Sequence, residues 1–546
     1  MLFPRGGALA FLFTAALPLL AQDSAALRNR LDAHTVLLGS PDEDRLRIDE
    51  LLGRRTLAGG LIRSPSAASL DSVPNPKAGV SWSFVGPVLD GTWNSQIPYS
   101  LNDGALWAGR GLSNRLTAGV RANVGRIQLL IAPELMHVQN RAFALLPSDL
   151  PSRSSYASPF HGGPLSADVP IRFGSQPFTV ASPGQSAMWV PAGPVDVGIA
   201  TENQWWGPAI QNALVMSNNA AGIPHAFLRT SHPLHTRAGD FEAKGIAGEI
   251  TESLYFDDDP GNDHRSLSGV VATFAPAVEP HLTIGATRVV YSPAPRFESV
   301  SKHALDALTR WSTSRPDSTH RGSDTFDQLF SLFGRWVFPE SGLEFYAEWA
   351  HMLPPSSLRD LLIEPQRTQG YTLGMQLAGE VRPNALLRFQ AEVTDLEQTA
   401  ASRAADTLSF YTSRNVPQGY TQRGKVIGAA IGPGASSQLL ALDYMPTRWD
   451  VGVFVERIRW DNDVYYLQPT GFSWFSHDVT VLAGLRGTTH VFGSELHAEY
   501  SVSRRLNFLF QNLRGGYGPQ TQNDFYNHTL RVWFAPWASR RAKLSS

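Results

Sequence analysis

Apolar and polar side chains alternate along much of this sequence. In residues 387–393, four apolar side chains are separated by Arg388, Gln390 and Glu392. Because successive side chains of a β-strand point to opposite faces, such a segment has one apolar face and one strongly polar face. The pattern predicts a protein built from many amphipathic strands. The same period of two recurs in residues 116–124, 343–349, 495–500 and 529–534.

The beginning of the chain predicts export. Met1 to Arg5 is weakly basic, residues 8–20 are almost entirely apolar, and Ala21 is a small residue suited to cleavage. The apolar run is too short to cross a bilayer as a helix, so residues 1–21 are interpreted as a signal peptide. No later stretch of about eighteen apolar residues occurs, and no transmembrane helix is therefore expected.

Export, length and alternation together favour an all-β transmembrane barrel, a large antiparallel outer-membrane β-barrel of about 18 strands. A water-soluble sandwich gives the same alternation and is the alternative fold. Short connections such as 380–384 and long polar ones such as 293–325 and 399–419 match the periplasmic turns and outer loops of such barrels. The barrel is expected over 76–546, with the Pro-, Ser- and Gly-rich residues 140–195 forming a long loop or plug outside the wall.

A small N-terminal helical segment, residues 22–75, is expected ahead of the barrel. Two short helices are predicted at 24–38 and 40–52, the second opened by Ser40 and Glu43 in a capping-box arrangement. Leucines spaced along each helix form a stripe that must pack against another surface. The segment is interpreted as an element that closes one end of the barrel, with a disordered leader as the alternative.

Composition and charge narrow the possible partners. Charged residues make up 17% of the chain and aromatic residues 10%; soluble domains carry nearer to about a quarter charged residues. The formal net charge is -2, so the protein has no overall positive electrostatic field that would attract nucleic acid. Nucleic acid is therefore not expected as a partner. The absence of cysteine excludes disulfides, thiolate catalysis and thiolate metal sites.

Three segments carry a resemblance to a known family. Residues 205–220 read WWGPAIQNALVMSNNA, residues 419–438 contain GAAIGPGASSQ, and residues 342–350 read GLEFYAEWA. Together they resemble the Wzi family of capsule-assembly outer-membrane proteins. The resemblance implies a lectin-like protein of the cell outer membrane that binds capsular or exopolysaccharide and anchors or assembles it at the cell surface without catalysis. One departure is Ala209, where the family often has glycine.

Five side chains are candidate polysaccharide-binding residues because aromatic faces stack on sugar rings and amide or guanidinium groups bond to hydroxyls. Each also has a structural interpretation: paired tryptophans occur in interfacial girdles and plug cores, adjacent asparagines in turns, and barrel arginines in ion pairs. The candidates are Trp205, Trp206, Asn218, Asn219 and Arg423.

Catalysis is not expected. The sequence lacks the G-x-S-x-G, H-E-x-x-H and phosphate-loop motifs. Glu344 and Glu348 share a strand face at a spacing of roughly 13 Å, too far apart for a glycosidase pair. No metal and no cofactor are predicted. The expected partners are polysaccharide, outer-membrane lipid and lipopolysaccharide, with a monomeric chain, and the alternative function is an outer-membrane porin or oligosaccharide channel.

Overall fold

Eighteen antiparallel strands form a closed barrel. Hydrogen bonding between the last strand and the first completes the ring, with Leu89 opposite Phe534. The predicted fold class and strand number are therefore confirmed. The computed structural model describes residues 35–54, 60–67, 80–294, 296–310, 326–352, 358–406, 408–467, 476–511 and 524–536.

Three of the first nine wall strands consist of two shorter segments that occupy the same place in the ring. The nine strands are β1 Val80–Asn94, β2 Gly111–Val124, β3 Ile127–Ile131 continued by Glu134–Val138, β4 Phe178–Ser182 continued by Ala187–Ala192, β5 Val195–Ala200, β6 His225–Thr230 continued by Leu234–His235, β7 Gly239–Thr251, β8 His264–Pro276 and β9 Leu282–Pro293.

The second nine wall strands are uninterrupted. They are β10 Asp327–Phe338, β11 Leu343–His351, β12 Gln369–Arg382, β13 Ala385–Asp395, β14 Ser436–Pro446, β15 Trp449–Arg459, β16 Val479–Val491, β17 Ser494–Leu506 and β18 Phe525–Ala535. Two further strand pairs lie off the wall: Ile62–Arg63 with Trp205–Trp206, and Thr421–Gln422 with Lys425–Val426.

Helices are short in the part of the chain that the structure describes. No helix there is long and apolar enough to cross a membrane. The α-helices are α1 Pro41–Leu51, α2 Phe297–Lys302, α3 Asp306–Thr309, α4 Leu358–Ile363, α5 Ala400–Asp406 and α6 Asn462–Leu467, and single 3-10 turns occur at Gly163–Leu165, Pro339–Ser341 and Phe508–Phe510.

The alternating pattern separates the two faces of the wall as predicted. In β13, Arg388 is 3% exposed and Glu392 2%, whereas Leu387 is 37% exposed and Val393 40%. The polar side chains therefore point into the barrel and the apolar ones form its outer surface. An outer surface of this kind suits a hydrocarbon environment.

The connections differ strongly between the two ends of the barrel. At one end, called the short-turn end, most links contain only a few residues, such as 125–126, 383–384 and 492–493. Phe492 and Gly493 both have positive φ, 52° and 81°, which matches the right-handed twist of a tight hairpin. The opposite, long-loop end carries the long connections, which span residues 95–110, 139–177, 201–224, 252–263, 294–326, 352–368, 396–435, 460–478 and 507–524.

The prediction that residues 140–195 lie outside the wall is wrong in part. Residues 139–177 form a loop, but Phe178–Ser182 and Ala187–Ala192 are the two halves of β4 and pair with β3. Pro183 and Gly184 interrupt the strand and shorten each half to a run too brief for the alternation to be recognised.

Helix α1 begins and packs as its sequence indicates. The hydroxyl of Ser40 accepts a hydrogen bond from the N–H of Glu43 at 3.3 Å, and the Glu43 carboxylate accepts one from the N–H of Gly39 at 2.6 Å. Leu51 is fully buried against Val337 and Ala378 of the wall. The helix therefore lies against the inside of the barrel near its short-turn end.

Other parts of the N-terminal interpretation lie largely outside the described residues. They are the signal peptide, residues 24–34 of the helix predicted at 24–38, and part of the segment 22–75. Residues 35–38 of that predicted helix are described, and they are not helical. The division of the chain at residues 21 and 76 stays a prediction.

Two loop segments occupy the lumen and are called the plug: residues 203–220, between β5 and β6, and residues 408–435, between β13 and β14. Leu214, Tyr411 and Tyr420 of the plug are fully buried and belong to one apolar cluster with inward side chains of the wall. The core of this barrel therefore lies inside the ring of strands.

Candidate functional site

The plug brings together two of the three segments that carry the family resemblance. The N–H of Ser217 donates to the carbonyl of Ile427 at 3.0 Å, and the Ser217 hydroxyl donates to the carbonyl of Gly428 at 2.6 Å. From the other side, the hydroxyl of Tyr420 donates to the carbonyl of Val215 at 2.9 Å. Segments 205–220 and 419–438 thus form one hydrogen-bonded unit, although about two hundred residues of chain lie between them.

The third segment holds this unit to the wall. In β11, the carboxylate of Glu348 accepts a hydrogen bond from the N–H of Leu214 at 2.9 Å. Tyr346, two residues earlier, donates its hydroxyl to Glu392 of β13 at 2.8 Å. Glu392 in turn accepts backbone N–H groups of the plug at residues 210–212, at distances from 2.7 to 3.2 Å. Buried carboxylates of the wall therefore satisfy the backbone of the plug.

The two candidate tryptophans lie in the interior of the plug. Trp206 is 0% exposed, and a Cβ added at Gly269 in β8 would lie 3.0 Å from its indole ring, so the ring packs directly on the wall at that glycine. Trp205 is 3% exposed; its Nε1 donates to the carbonyl of Ala209 at 3.1 Å, and the guanidinium of Arg63 lies 4.9 Å from its ring centre. Contact of either ring with sugar stays a prediction.

The candidate asparagines are also buried, whereas Arg423 is exposed. Asn219 donates its amide to the carbonyl of Val426 at 2.9 Å, and Asn218 donates to the carbonyl of Leu38 at 3.3 Å. Arg423 has a left-handed backbone with φ 49°, and its N–H donates to the carbonyl of Thr251 at 2.8 Å. The structure thus groups the five candidates on the plug, with only the Arg423 side chain exposed.

A cavity of about 260 Å³, called the mouth cavity, lies at the long-loop end beside the plug. Asn219 and Lys425 line it from the plug side. Several of its aromatic side chains are paired: the ring centres of Trp107 and Phe173 lie 5.0 Å apart, and those of Phe160 and Phe510 5.1 Å apart. Aromatic side chains that line the mouth cavity include Trp107, Phe143, Phe160, Trp460, Phe508 and Phe510.

Charged groups also lie at the mouth cavity. Arg505 donates two hydrogen bonds to the carboxylate of Asp478, at 2.7 and 2.8 Å, and its guanidinium lies 4.7 Å from the ring centre of Trp460. Nε2 of His161 lies 2.9 Å from Asp461. Burial lowers the pKa of His161, but the Asp461 carboxylate and a hydrogen bond with the carbonyl of Leu165 together outweigh burial, and the net pKa lies above its ordinary value.

Lys425 connects the plug to another loop at the same cavity. Its ammonium donates to the carbonyls of Gly104 and Leu106 at 3.1 and 3.0 Å. Burial lowers the pKa of Lys425 to about 8, partly offset by the negative charge of Asp103. The mouth cavity therefore combines apolar ring faces with fixed donors and acceptors, which is the combination that recognises sugars.

Unusual backbone conformations also occur around the mouth cavity. Asp461, Leu509 and Phe510 all line it and have φ of 45°, 56° and 59°, in the left-handed region that non-glycine residues rarely adopt. Such conformations cost free energy and persist where the surrounding structure imposes them, often at binding sites.

Apart from Asn219 and several residues of segment 419–438, the lining of the mouth cavity was not among the residues singled out from the sequence. Trp107, Phe160, Trp460 and Phe508 come from four different long loops, so no spacing along the chain connects them. Isolated aromatic residues in loops carry no period and no motif. Only the segments 205–220 and 419–438 pointed toward this region.

No group of three or more His, Asp or Glu side chains suited to holding a metal ion occurs within the described ranges.

Comparison with known proteins agrees with the family resemblance. Residues 189–445 match the family model of the capsule assembly protein Wzi. The resemblance to the Wzi family is confirmed. The matched range contains all three of the segments described above, together with the wall from the second half of β4 to β14. No curated protein sequence matches the chain.

One solved structure supports the barrel fold. The Escherichia coli Wzi structure, described as an outer membrane protein of group 1 capsule assembly and a carbohydrate-binding β-barrel, is 11% identical and has a TM-score of 0.52. The alignment covers 83% of this chain and 85% of that one. The Acinetobacter baumannii protein OccAB2 is 9% identical over 84% of this chain and 97% of that one, with a TM-score of 0.39. At such identities the likeness to Wzi concerns the fold.

Proposed function

We propose that this protein binds capsular or related exopolysaccharide at its mouth cavity and retains the polymer at the cell surface without catalysis. The single observation that carries the proposal is that the segments shared with the Wzi family build one side of an aromatic cavity at the long-loop end. The E. coli protein of that name is described as carbohydrate binding.

The orientation in the membrane follows from the connections. In outer-membrane barrels the short turns face the periplasm and the long loops face outward. The apolar outer surface, with side chains such as Val393 and Leu387, fits a location in the cell outer membrane with lipid and lipopolysaccharide around it. The mouth cavity then opens on the side where a surface polymer lies.

The roles of the five candidate residues follow from their positions on the plug. Arg423, whose side chain is exposed, is proposed to contact the polymer directly. Asn219 lines the mouth cavity and donates to Val426, next to Lys425, so it is proposed both to face the polymer and to position that lysine. The buried Trp205, Trp206 and Asn218 are proposed to act as positioning residues within plug segment 203–220. Weak contacts of this kind are sufficient for a long polymer, since each bound unit raises the effective concentration of the next.

A diffusion channel is the alternative function. The plug fills much of the lumen and is hydrogen bonded to β11 and β13 through Glu348 and Glu392. A single-channel recording in a planar bilayer distinguishes the two functions: a steady open current of porin size supports the channel, and its absence supports the plugged, polymer-binding protein.

The test of the binding site uses purified polymer and the intact barrel in detergent. We expect Trp460→Ala to weaken polymer binding by roughly tenfold, since an aromatic contact contributes about 0.5 to 1.5 kcal/mol beyond buried area. Biolayer interferometry with immobilised polymer measures the change. An unaltered affinity would remove the mouth cavity from the proposal.

Trp449→Ala is the matched control. Trp449 begins β15 at the short-turn end and is 43% exposed on the outer face, whereas Trp460 directly follows the other end of the same strand. Both variants lose one indole, but only Trp460 lines the mouth cavity. Equal losses in the two variants would indicate a general effect on the barrel.

A further inference from the structure

A second cavity lies near the short-turn end, on the opposite side of the molecule from the mouth cavity. Its volume is about 290 Å³, and it is called the Arg121 cavity. Strands β2, β4, β6 and β7 supply inward side chains to it, and exposed residues at its rim, Gly193, Ser231 and His232, connect it with solvent. None of the three family segments supplies a residue to its lining.

Arg121 in β2 is a buried cation with spare donors. Arg121 is only 7% exposed, and its Nη2 donates a hydrogen bond to the carbonyl of Ser66 at 3.2 Å. Its Nε and Nη1 have no acceptor among the described residues. No carboxylate in the described part of the chain lies within 4 Å of it, which is the limit for an ion pair. A buried guanidinium that has no carboxylate bonded to it is costly, so the site favours an incoming anion.

Neighbouring cations strengthen this preference. The guanidinium groups of Arg121 and Arg229 lie 5.5 and 5.3 Å from the ring centre of Trp189, and the ammonium of Lys244 lies 5.0 Å from that of Phe227. Three cationic side chains therefore share one enclosed space, which lies beside two aromatic rings.

The nearby carboxylates already have other partners. Asp196 accepts from Arg229 at 3.1 Å and from the Ser231 hydroxyl at 2.6 Å. Glu202 accepts from the N–H and the hydroxyl of Ser66, both at 2.7 Å, and lies 3.7 Å from Lys244. Glu242 also lines the cavity but lies beyond ion-pair distance of Arg121. These carboxylates leave the Nε and Nη1 donors of Arg121 available.

We propose that the Arg121 cavity binds an oxyanion, the carboxylate or phosphate of a small ligand such as an acidic sugar, with Arg121 as its principal donor. The ligand reaches it from the short-turn end, which is the periplasmic side in the expected orientation. Guanidinium groups suit this role because their hydrogen bonds to oxyanions are charge-assisted. The proposal does not depend on polymer binding at the mouth cavity.

The test titrates the intact barrel in detergent with sodium glucuronate, inorganic phosphate and glucose by isothermal titration calorimetry. We expect at least one anion to bind and glucose not to bind. Binding of glucuronate without phosphate assigns a carboxylate ligand, and the reverse assigns a phosphate. Binding of neither anion by the wild-type protein would overturn the proposal, and so would equal binding of glucose.

Variants locate the bound anion. Arg121→Gln is expected to weaken anion binding at least tenfold, while Arg126→Gln leaves it unchanged, because Arg126 is exposed in the turn that follows β2. If Arg121→Gln does not insert into micelles, as judged by its heat-dependent gel shift, Arg121→Lys retains the buried charge and is expected to bind three- to tenfold more weakly. Wild-type affinity in the inserted Arg121 variant would show that the anion binds elsewhere.

Discussion

The carboxylate of Glu392, on the inner face of the wall, accepts a hydrogen bond of 2.7 Å from the backbone N–H of Ile210 in the plug. The same carboxylate accepts the N–H of Gln211 and of Asn212, at 3.1 and 2.9 Å to its other oxygen. Three successive amides thus converge on one wall side chain. This contact attaches the plug to β13 at a single position.

Glu392→Leu is therefore expected to loosen the plug while the barrel still inserts. Each buried amide that loses its acceptor costs roughly 1 to 3 kcal/mol, and leucine offers none. The expected result is a higher frequency of open-channel events in planar-bilayer recordings than for the wild-type protein. A recording as silent as wild type would show that Glu392 is dispensable for plug closure.

Glu499→Leu is the matched control for this change. Glu499 is a half-buried wall residue in β17, lies in the lumen beside α1, and has no hydrogen bond to a described residue of the plug. Its replacement removes an inward carboxylate of the same kind without touching residues 210–212. If both variants showed more open-channel events than the wild-type protein, the cause would be the loss of negative charge in the lumen and not the loss of plug attachment.

The outer face of β13 gives a prediction about insertion. Val393 is 40% exposed on the apolar surface, and its neighbour Glu392 points inward. A charge at the bilayer midplane of a barrel costs about 2 to 4 kcal/mol, less near the interfaces. Val393→Arg should therefore insert into lipid vesicles less efficiently than Glu392→Leu, as measured by the heat-dependent gel shift. Val393→Leu should insert like wild type; the reversed order would contradict the assignment of the two faces.

Trp206 tests whether the plug core supports binding. Its indole is fully buried against Gly269, and removal of a buried aromatic side chain costs about 3 to 5 kcal/mol. In a barrel that still inserts, Trp206→Ala should make residues 203–220 more accessible to protease and weaken polymer binding. The losses of protease resistance and of polymer affinity should be much smaller in Trp206→Phe. Wild-type polymer affinity in a protease-sensitive Trp206→Ala protein would remove this residue from the binding function.

The long-loop end should become less stable as pH rises. Burial raises the pKa of Asp463, in α6, from 3.8 to about 7, against the opposing effect of its hydrogen bonds from Gln398, Ser409 and Arg403. The folded protein holds this proton more tightly than the unfolded chain, so the stabilisation is complete below about pH 3.8 and is lost as pH rises toward 7. The difference between the pKa values in the folded and unfolded states corresponds to at most roughly 4 kcal/mol of unfolding free energy.

Thermal unfolding in detergent checks this sign. The midpoint temperature of the wild-type protein should fall between pH 5 and pH 8. The midpoint temperature of Asp463→Asn should fall less, because the amide does not titrate. Equal changes of midpoint temperature in the two proteins would show that protonation of Asp463 does not stabilise the fold.

Much of the fold was predictable because alternation is a local property of the chain. Period two in segments such as 387–393 identified wall strands, and the inward position of Glu392 followed from it. The interrupted strand β4 was missed because Pro183 and Gly184 divide it. Closure of the ring and the depth of the plug depend on contacts between distant residues, which no local pattern reports.

The site was predictable only where a motif marked it. The segment 205–220 was recognised as important, but its tryptophans lie inside the plug, because a paired apolar motif cannot distinguish a binding face from a packed one. Trp460 and Phe510 belong to separate loops and gained significance only from their meeting at the mouth cavity. The attachment by Glu392 could not be read from sequence, since its partners are backbone amides.

The proposed function makes its strongest prediction in cells. A strain that lacks this protein should synthesise and export its polysaccharide at roughly the normal level but release more of it into the medium, because the proposed role changes where the polymer lies and not how much is made. Uronic-acid or total-sugar assays of cell-bound and medium fractions measure the ratio. Complementation with Trp460→Ala should restore retention only partly, and with Trp449→Ala fully. A deletion strain that makes no polymer would contradict the retention function and indicate a role in export or synthesis.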